Sequence, residues 1–249
     1  MKTSFLERLV PRPVRLAMLR SRIIRHFELM PGTEVGDDRS EVVEYLRHHP
    51  LTVFPYSFER EYNPDTVQVN LDDSTGLLYT LWDGKRLYYK DGTSVKRAKR
   101  YFNSLLLEQD PRSPHRYLTL AFDVKQGDVI ADVGAAEGNF TLSVIDKIHH
   151  AYLFEPDPAW IRAMKTTFEP WKDKVTIVPT FVGASPDANT ITLDGYFNDG
   201  RTISFLKADV EGCEGDLLAG AKQLIARSPG LRTALCTYHR QEDAGNLKA

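Results

Sequence analysis

Val129-Ile130-Ala131-Asp132-Val133-Gly134-Ala135-Ala136-Glu137-Gly138-Asn139-Phe140 decides how the rest of this chain is read. Apolar residues run to Val133 with a single acid, Asp132, among them. Gly134, Ala135, Ala136 and Gly138 then crowd a short span, and Thr141-Leu142-Ser143-Val144-Ile145 continues in helical register. The pattern predicts a buried strand, a tight turn and the start of a helix. A turn so poor in side chains lets a ligand approach the backbone closely. The helix behind it offers N–H groups that have no partner within the helix.

Two cofactor classes use such a strand, turn and helix. The dinucleotide fingerprint needs glycines at its first, third and sixth positions. Those positions hold Gly134, Ala136 and Asn139, so only the first fits, which weakens the reading of an NAD-linked oxidoreductase. The pattern acid-x-Gly-x-Gly-x-Gly, the first motif of S-adenosylmethionine (SAM) methyltransferases, matches at Asp132, Gly134 and Gly138, with Ala136 for the middle glycine. One helix, loop and strand later, Tyr152-Leu153-Phe154-Glu155-Pro156-Asp157 reads as a second strand ending in an acid. A carboxylate there has the acceptors to take both ribose hydroxyls of a nucleoside. Asp132, Gly134, Ala135, Ala136, Gly138, Asn139 and Glu155 are therefore the expected cofactor-binding residues. Ala184, in the small-residue stretch Phe181-Val182-Gly183-Ala184-Ser185, is expected to border an adenine.

The 249 residues suffice for one large domain, or a catalytic domain with an appendage. Hydrophobic content of 42% and charged content of 27% are those of a globular chain. A net charge of −2 excludes a general nucleic-acid binder, which would carry a basic excess. Cys213 and Cys236 lack disulfide-framework or metal-site spacing and read as reduced core residues. No apolar run is long enough to span a membrane. Arginines interrupt the N-terminal apolar residues, so no signal peptide is read there and the cytoplasm is the expected compartment.

Residues 1–110 are expected to form an N-terminal accessory region, and 111–249 the main domain. The accessory region opens with basic, amphipathic sequence around Arg12, Arg15, Arg20, Arg22 and Arg25, predicting a helix from about Val14 to Leu29. A silent binding module, docked through these arginines on an acidic glycan or lipid surface, is an alternative reading. Ser40 is the expected N-cap of a short helix. Aromatic Phe54, Tyr56, Phe58 and Tyr62 are expected to pack on the neighbouring domain. Strands over Thr66–Asn70, Leu77–Trp82 and Lys85–Lys90, with Asp-Gly at 83–84 and 91–92, predict a small antiparallel meander. Ser94 is read as the cap of a helix reaching Glu108. His115, Arg116 and Tyr117 lie in a proline-fixed connector that crosses the ligand edge of the sheet.

From Val129 strand and helix alternate, which means a parallel sheet with helices on both faces, an α/β fold. Ile203–Asp209 is another buried strand that ends in charge. Lys207, Asp209 and Glu211 share one side of it by alternation. Charge at the end of a central strand is costly unless paired, liganded or solvated in a cleft. Asp209 and Glu211 are therefore site candidates: to hold the methionine amino group, to orient an acceptor hydroxyl, or to bind Mg²⁺. The Mg²⁺ reading is the lesser one, since two carboxylates are a sparse site, and no metal ligand is assigned. The next strand ends Cys236-Thr237-Tyr238-His239-Arg240 and should lie beside the Asp209 strand. That makes His239 the expected general base, since an imidazole exchanges protons near neutral pH.

With these residues in view, the chain from about Phe122 to His239 resembles the FkbM family of SAM-dependent methyltransferases. The likeness is carried by Ala131–Asn139, by Thr192-Leu193-Asp194, and by Leu206-Lys207-Ala208-Asp209-Val210-Glu211-Gly212-Cys213-Glu214 with Leu218-Ala219-Gly220-Ala221 behind it. The resemblance implies a class I, Rossmann-like methyltransferase fold and methyl transfer from SAM, usually to oxygen, on a bacterial sugar, lipid or small metabolite. It implies that Asp132, Gly134, Gly138 and Glu155 border the cofactor and that Asp209 and Glu211 face the active site. The family's C-terminal helix and hairpin have no counterpart in the ten residues after His239. The expectation is a C-terminally truncated domain or an open sheet edge, which would favour homo-oligomers.

Overall fold

A computed structural model describes residues 10–29, 38–239 and 245. Arg240, the Pro31-Gly32 break, the loop after it and the basic residues before Val10 lie outside them. The chain forms two compact units, residues 1–63 with 106–113, and residues 64–105 with 114–249.

The first unit holds α1 (Arg12–Leu29) and α2 (Arg39–His48). Pro13 does not delay α1, because a proline in the first helical turn removes no intrahelical hydrogen bond. Asp38, not Ser40, stands at the N-cap of α2 and makes no side-chain cap. Its carboxylate accepts instead from the Tyr56 hydroxyl. Phe54, Tyr56 and Phe58 are buried against Val42 and Leu46, with Ile23, Ile24 and Phe27 of α1 beside them. The aromatic stretch thus builds its own unit's core. Arg112 clamps it polar side out, with both Glu61 oxygens at 2.7 and 2.8 Å and Asp110 at 2.8 Å.

The second unit begins with a meander, β1 (Asn70–Leu71), β2 (Leu78–Trp82) and β3 (Lys85–Tyr88). The strand expected over Thr66–Asn70 shrinks to its end, because Pro64-Asp65-Thr66 turns as a 3-10 segment. The meander pairs antiparallel in the order β1-β2-β3. The helix α3 (Val95–Glu108) follows, with the Ser94 hydroxyl accepting from the Arg97 N–H at 3.3 Å.

Strand and helix then alternate: β4 (Val129–Val133), α4 (Asn139–Val144), β5 (His150–Phe154), α5 (Pro158–Thr167), β6 (Val175–Val178), β7 (Phe181–Val182), β8 (Thr190–Ile191), α6 (Leu193–Tyr196), β9 (Phe205–Ala208), α7 (Glu214–Ala219), α8 (Lys222–Arg227) and β10 (Arg232–Leu235). Five of these strands form one sheet in the order β10-β9-β4-β5-β6. Every neighbouring pair in it is parallel. Chain order runs outward from β4 toward β6 on one side and from β9 toward β10 on the other, so the order reverses between β4 and β9. Open α/β sheets bind ligands outside the strand ends at that reversal. The meander, grouped from sequence with the N-terminal region, packs Leu77 and Tyr88 on Ala163 and Trp160 of α5.

Between α7 and α8, Gly220 packs so closely on Gly183 that a Cβ would lie 2.1 Å from its carbonyl oxygen. Leu193-Asp194 opens α6, which the Thr192 hydroxyl caps at the Gly195 N–H. Of the two free cysteines Cys236 is buried as expected, whereas Cys213 is exposed at the solvent side of the turn before α7. Among the described residues, no helix is long and apolar enough to cross a membrane.

Gly134 sits where the ends of β4 and β9 converge, with φ +71° and a would-be Cβ 1.9 Å from the Asp209 carbonyl oxygen. Gly127 has φ +84° and open space around it. Gly127→Ala is expected to cost about 1 kcal/mol from left-handed strain alone. Gly134→Ala is expected to cost about 3 kcal/mol or more, or to prevent folding. Urea unfolding of the two variants measures the difference, which isolates the close approach.

Candidate active site

The turn after β4 is built from alternate left-handed residues, Gly134 at φ 71°, Ala136 at 48° and Gly138 at 83°. Gly138 is required there, since a Cβ would meet the Phe168 ring at 2.7 Å. Ala136 carries strain that a glycine would not. The N–H groups of Gly134 and Ala135 donate to the Phe154 carbonyl at 3.0 and 3.2 Å, which locks the turn onto the end of β5. Gly138 caps α4 without a side-chain hydrogen bond.

Asp132 is fully buried and supports this turn from beneath. One oxygen accepts from the Thr141 hydroxyl at 2.8 Å. The other lies 3.1 Å from Lys207 Nζ without hydrogen-bond alignment. Lys207 gives its aligned proton to the Gly134 carbonyl at 2.7 Å. Burial opposes the Lys207 charge, yet Asp132 and Asp209 outweigh it and hold the ammonium above its ordinary pKa.

Glu155 turns toward the bend. Its Oε2 accepts from the Ala136 N–H at 2.9 Å, and its Oε1 accepts from the Asp157 N–H at 2.8 Å. A carboxylate has about four acceptor positions, so each oxygen keeps one for a ribose hydroxyl. Ala135 and Asn139 are buried within the turn and the first helical residue. Ala184 is exposed, next to the Gly183 that seats Gly220. Glu137, between Ala136 and Gly138, is buried and accepts from the Tyr101 hydroxyl at 2.5 Å. Burial raises it to about 6, with the Tyr101 hydrogen bond opposing.

The second acidic motif converges on one imidazole. His239 lies beyond β10, which pairs with β9 as its sequence position required. Its Nδ1 is 2.9 Å from Glu214 Oε1, and its Nε2 is 3.3 Å from Asp209 Oδ1. Glu214 is buried, and its Oε1 also accepts the N–H groups of Val210 and Gly212 at 3.1 and 3.5 Å. Asp209 takes the Tyr117 hydroxyl at 2.8 Å. The Tyr117 ring meets Phe140 edge-on at 5.6 Å and has Lys207 Nζ 5.2 Å from its centroid, so it spans the two constellations. Glu211 has φ 54° and a side chain 93% exposed, 3.8 Å from His239 Nε2. The His115 ring lies tilted against Tyr238 at 4.6 Å, and burial lowers its pKa.

In the sequence Glu214 stands as the last acid of the second acidic motif, five residues after Asp209, and no role was read for it. Asp194, carried by the Thr192-Leu193-Asp194 likeness, accepts from the N–H groups of Leu224 and Gln223 at 2.7 and 3.1 Å and so caps α8. As for metals, Asp209, Glu214 and His239 offer donor atoms within 4.8 Å of one another. In this geometry the Glu214 donor is already hydrogen-bonded to Nδ1.

A five-stranded parallel sheet reversing at β4 and β9, with a side-chain-poor turn and a facing carboxylate at that point, is a doubly wound, Rossmann-like α/β fold. Residues 169–244 match the family model described as Methyltransferase FkbM domain. The match includes Asp209, Glu211, Glu214 and His239 and bears out the resemblance read from the second acidic motif. No curated protein matches the chain. Among solved structures, methyltransferase FkbM from Methylobacillus flagellatus KT is 17% identical over 64% of this chain and 48% of its own, with TM-score 0.48. The chain thus spans about half the length of that protein. An rRNA methylase from Streptococcus thermophilus is 15% identical over 50% of this chain and 70% of its own, with TM-score 0.39. A SAM-dependent methyltransferase from Geobacter sulfurreducens, in complex with S-adenosyl-L-homocysteine, is 18% identical over 51% of each chain, with TM-score 0.31.

Glu137 supplies a pH test of the turn. Its folded pKa of about 6 lies above the ordinary 4.5, so the fold favours the protonated form. Its contribution is complete below the unfolded value and is lost as pH rises through about 6, a loss of about 2 kcal/mol. Glu137→Gln is expected to flatten stability across that window. The difference between wild-type and variant urea-unfolding curves, taken pH by pH, isolates it.

Proposed function

We propose that the chain binds SAM at the β4–β5 edge and transfers its methyl group to a hydroxyl of a small-molecule or glycan acceptor. The observation that carries this reading is Glu155, aimed across the turn at the Ala136 N–H with acceptor positions to spare. The left-handed turn fits such a ligand, since small residues at 134 to 136 leave its backbone open to close approach. SAM, when bound, supplies an electrophilic sulfonium methyl.

The chain's own residues do the rest. Glu155 accepts the ribose hydroxyls. Asp132 and Lys207 act from beneath, keeping the turn in its left-handed shape. The acceptor hydroxyl sits by Asp209, whose carboxylate Tyr117 orients. His239 takes the hydroxyl proton at Nε2 as the oxygen gains its methyl. Glu214 holds the opposite Nδ1–H, which fixes the tautomer that leaves Nε2 basic. Glu211, exposed beside Nε2, faces the acceptor side. Positioning the two partners supplies most of the acceleration, because methyl transfer by displacement requires an in-line approach. Ala136 and Asn139, in place of glycines, disfavour a dinucleotide in the same turn.

Glu155→Ala is expected to weaken SAM at least tenfold by calorimetry, the value of about one charge-assisted hydrogen bond. His239→Ala should leave that affinity unchanged and slow transfer by about 10²-fold or more. Unchanged SAM affinity in Glu155→Ala would overturn the cofactor assignment, and undiminished turnover in His239→Ala would remove the base.

A further inference from the structure

His239 stands among three carboxylates, Asp209, Glu211 and Glu214, each within 4.0 Å of its ring. Among the described residues, no lysine or arginine pairs with any of the three at that distance. Glu214 accepts the Nδ1–H at 2.9 Å, since an ionised carboxylate can only accept. A neutral ring then carries its lone pair on Nε2. Asp209 Oδ1 lies 3.3 Å from that nitrogen, and Glu211 Oε2 lies 3.8 Å from it. Both distances exceed those of a charge-assisted N–H···O bond, about 2.7–2.9 Å. They are instead the spacing of neighbours in a coordination shell. Two donors each about 2.1 Å from a Zn²⁺ ion, at a tetrahedral angle, stand about 3.4 Å apart.

The outer contacts fit the same reading. A metal-bound imidazole donates its second N–H to a carboxylate, and a ligating carboxylate is itself hydrogen-bonded. Glu214 fills the first role, held in turn by the Val210 and Gly212 N–H groups. The Tyr117 hydroxyl fills the second at Asp209 Oδ2, which leaves Oδ1 for an ion. Glu214 adds an independent observation. Its side chain is 1% exposed, and among the described residues its Oε2 has no hydrogen-bond partner. A buried carboxylate with unmet acceptors is costly unless positive charge lies close by. A neutral imidazole supplies none, and an ion on Nε2 does. Glu211 is exposed and leaves the ion an entry path from solvent. One imidazole with two carboxylates suits a first-row transition metal better than Mg²⁺, which takes oxygen ligands.

We propose that His239 Nε2, Asp209 Oδ1 and Glu211 Oε2 bind a divalent transition-metal ion, with Glu214 and Tyr117 as its outer partners. The site stands on this geometry and not on the methyl-transfer reading. An ion there takes the lone pair that the proposed reaction uses, so ion ligand and general base are alternative states of one imidazole. The test uses the full chain, stripped with EDTA and returned to chelator-free buffer. Zn²⁺ binding is followed by calorimetry and Co²⁺ binding by visible absorption. Wild type should bind Zn²⁺ at micromolar concentration or below, and Co²⁺ should give the intense bands of a tetrahedral site. Glu211→Gln should weaken Zn²⁺ at least tenfold, and His239→Ala should weaken it further and abolish the Co²⁺ bands. His48→Ala, in an exposed i, i+4 pair with Glu44, should change neither. Zn²⁺ should raise the urea midpoint of wild type and not that of His239→Ala, whose own cooperative unfolding shows that it is folded. Millimolar Mg²⁺ should not displace the Zn²⁺. The proposal is overturned if wild type binds no Zn²⁺ at these concentrations, or if Mg²⁺ displaces it. It is also overturned if Glu211→Gln and His239→Ala bind Zn²⁺ as wild type does, the mark of an adventitious ion only.

Discussion

One buried ammonium holds the centre of this molecule together. Lys207 stands on β9 directly opposite Asp132 on β4, in the middle of the sheet. A charge there is tolerable only with compensation, and it receives two kinds, the Asp132 carboxylate and the Gly134 carbonyl. The carboxylate is also bonded to Thr141 of α4. Two strands, a turn and a helix thus meet on one ion. Removing either partner would leave the other buried and unpaired, which costs far more than the pair contributes. The turn's shape is therefore not a local property of small residues. It is set by a charge arriving from a strand more than seventy residues later.

The site inherits its precision from that junction. The Gly134 backbone and the Asp209 carbonyl pack so closely that the two strand ends behave as a single edge. Glu155 reaches the edge from β5, and His239 reaches it from beyond β10. Tyr117 lies across both constellations, with the Asp209 carboxylate at its hydroxyl and the Lys207 ammonium near its ring. Strained backbone gathers at the same place: of three non-glycine residues with positive φ among the described residues, Ala136 and Glu211 both belong to it. Such strain persists where surrounding contacts over-determine the conformation, and it is concentrated at functional edges.

The opposite end of the sheet is organised differently. Asp128 accepts from Arg232 at 2.5 Å and from the Ser204 hydroxyl at 2.8 Å, tying β4, β9 and β10 at their starts. Burial alone would raise that carboxyl, but the Lys125 N–H, Ser204 and Arg232 bring it below its ordinary range. Its visible partners satisfy it. At the other strand ends, by contrast, Glu155 retains acceptor capacity, and among the described residues Glu214 Oε2 has no hydrogen-bond partner.

Much of this was legible in the residues themselves. Alternating strand and helix periods, with apolar strands too uniform for a half-exposed sheet, specify parallel pairing between helices. The small-residue turn and the acid one unit later mark two strand ends that the fold brings face to face. The acidic run ending β9 announces chemistry, because charge at a central strand end is expensive. What sequence did not determine was the job of each charge. Asp132, expected at the cofactor, is buried with Lys207 and Thr141 as its neighbours. Glu214, quoted in the sequence only as part of the acidic motif, lies at His239 Nδ1, while Asp194 caps α8. Carboxylates read identically in one dimension. Only the fold decides which of them meets a lysine, a histidine, a helix terminus or open space, because those partners come from strands and helices far apart along the chain.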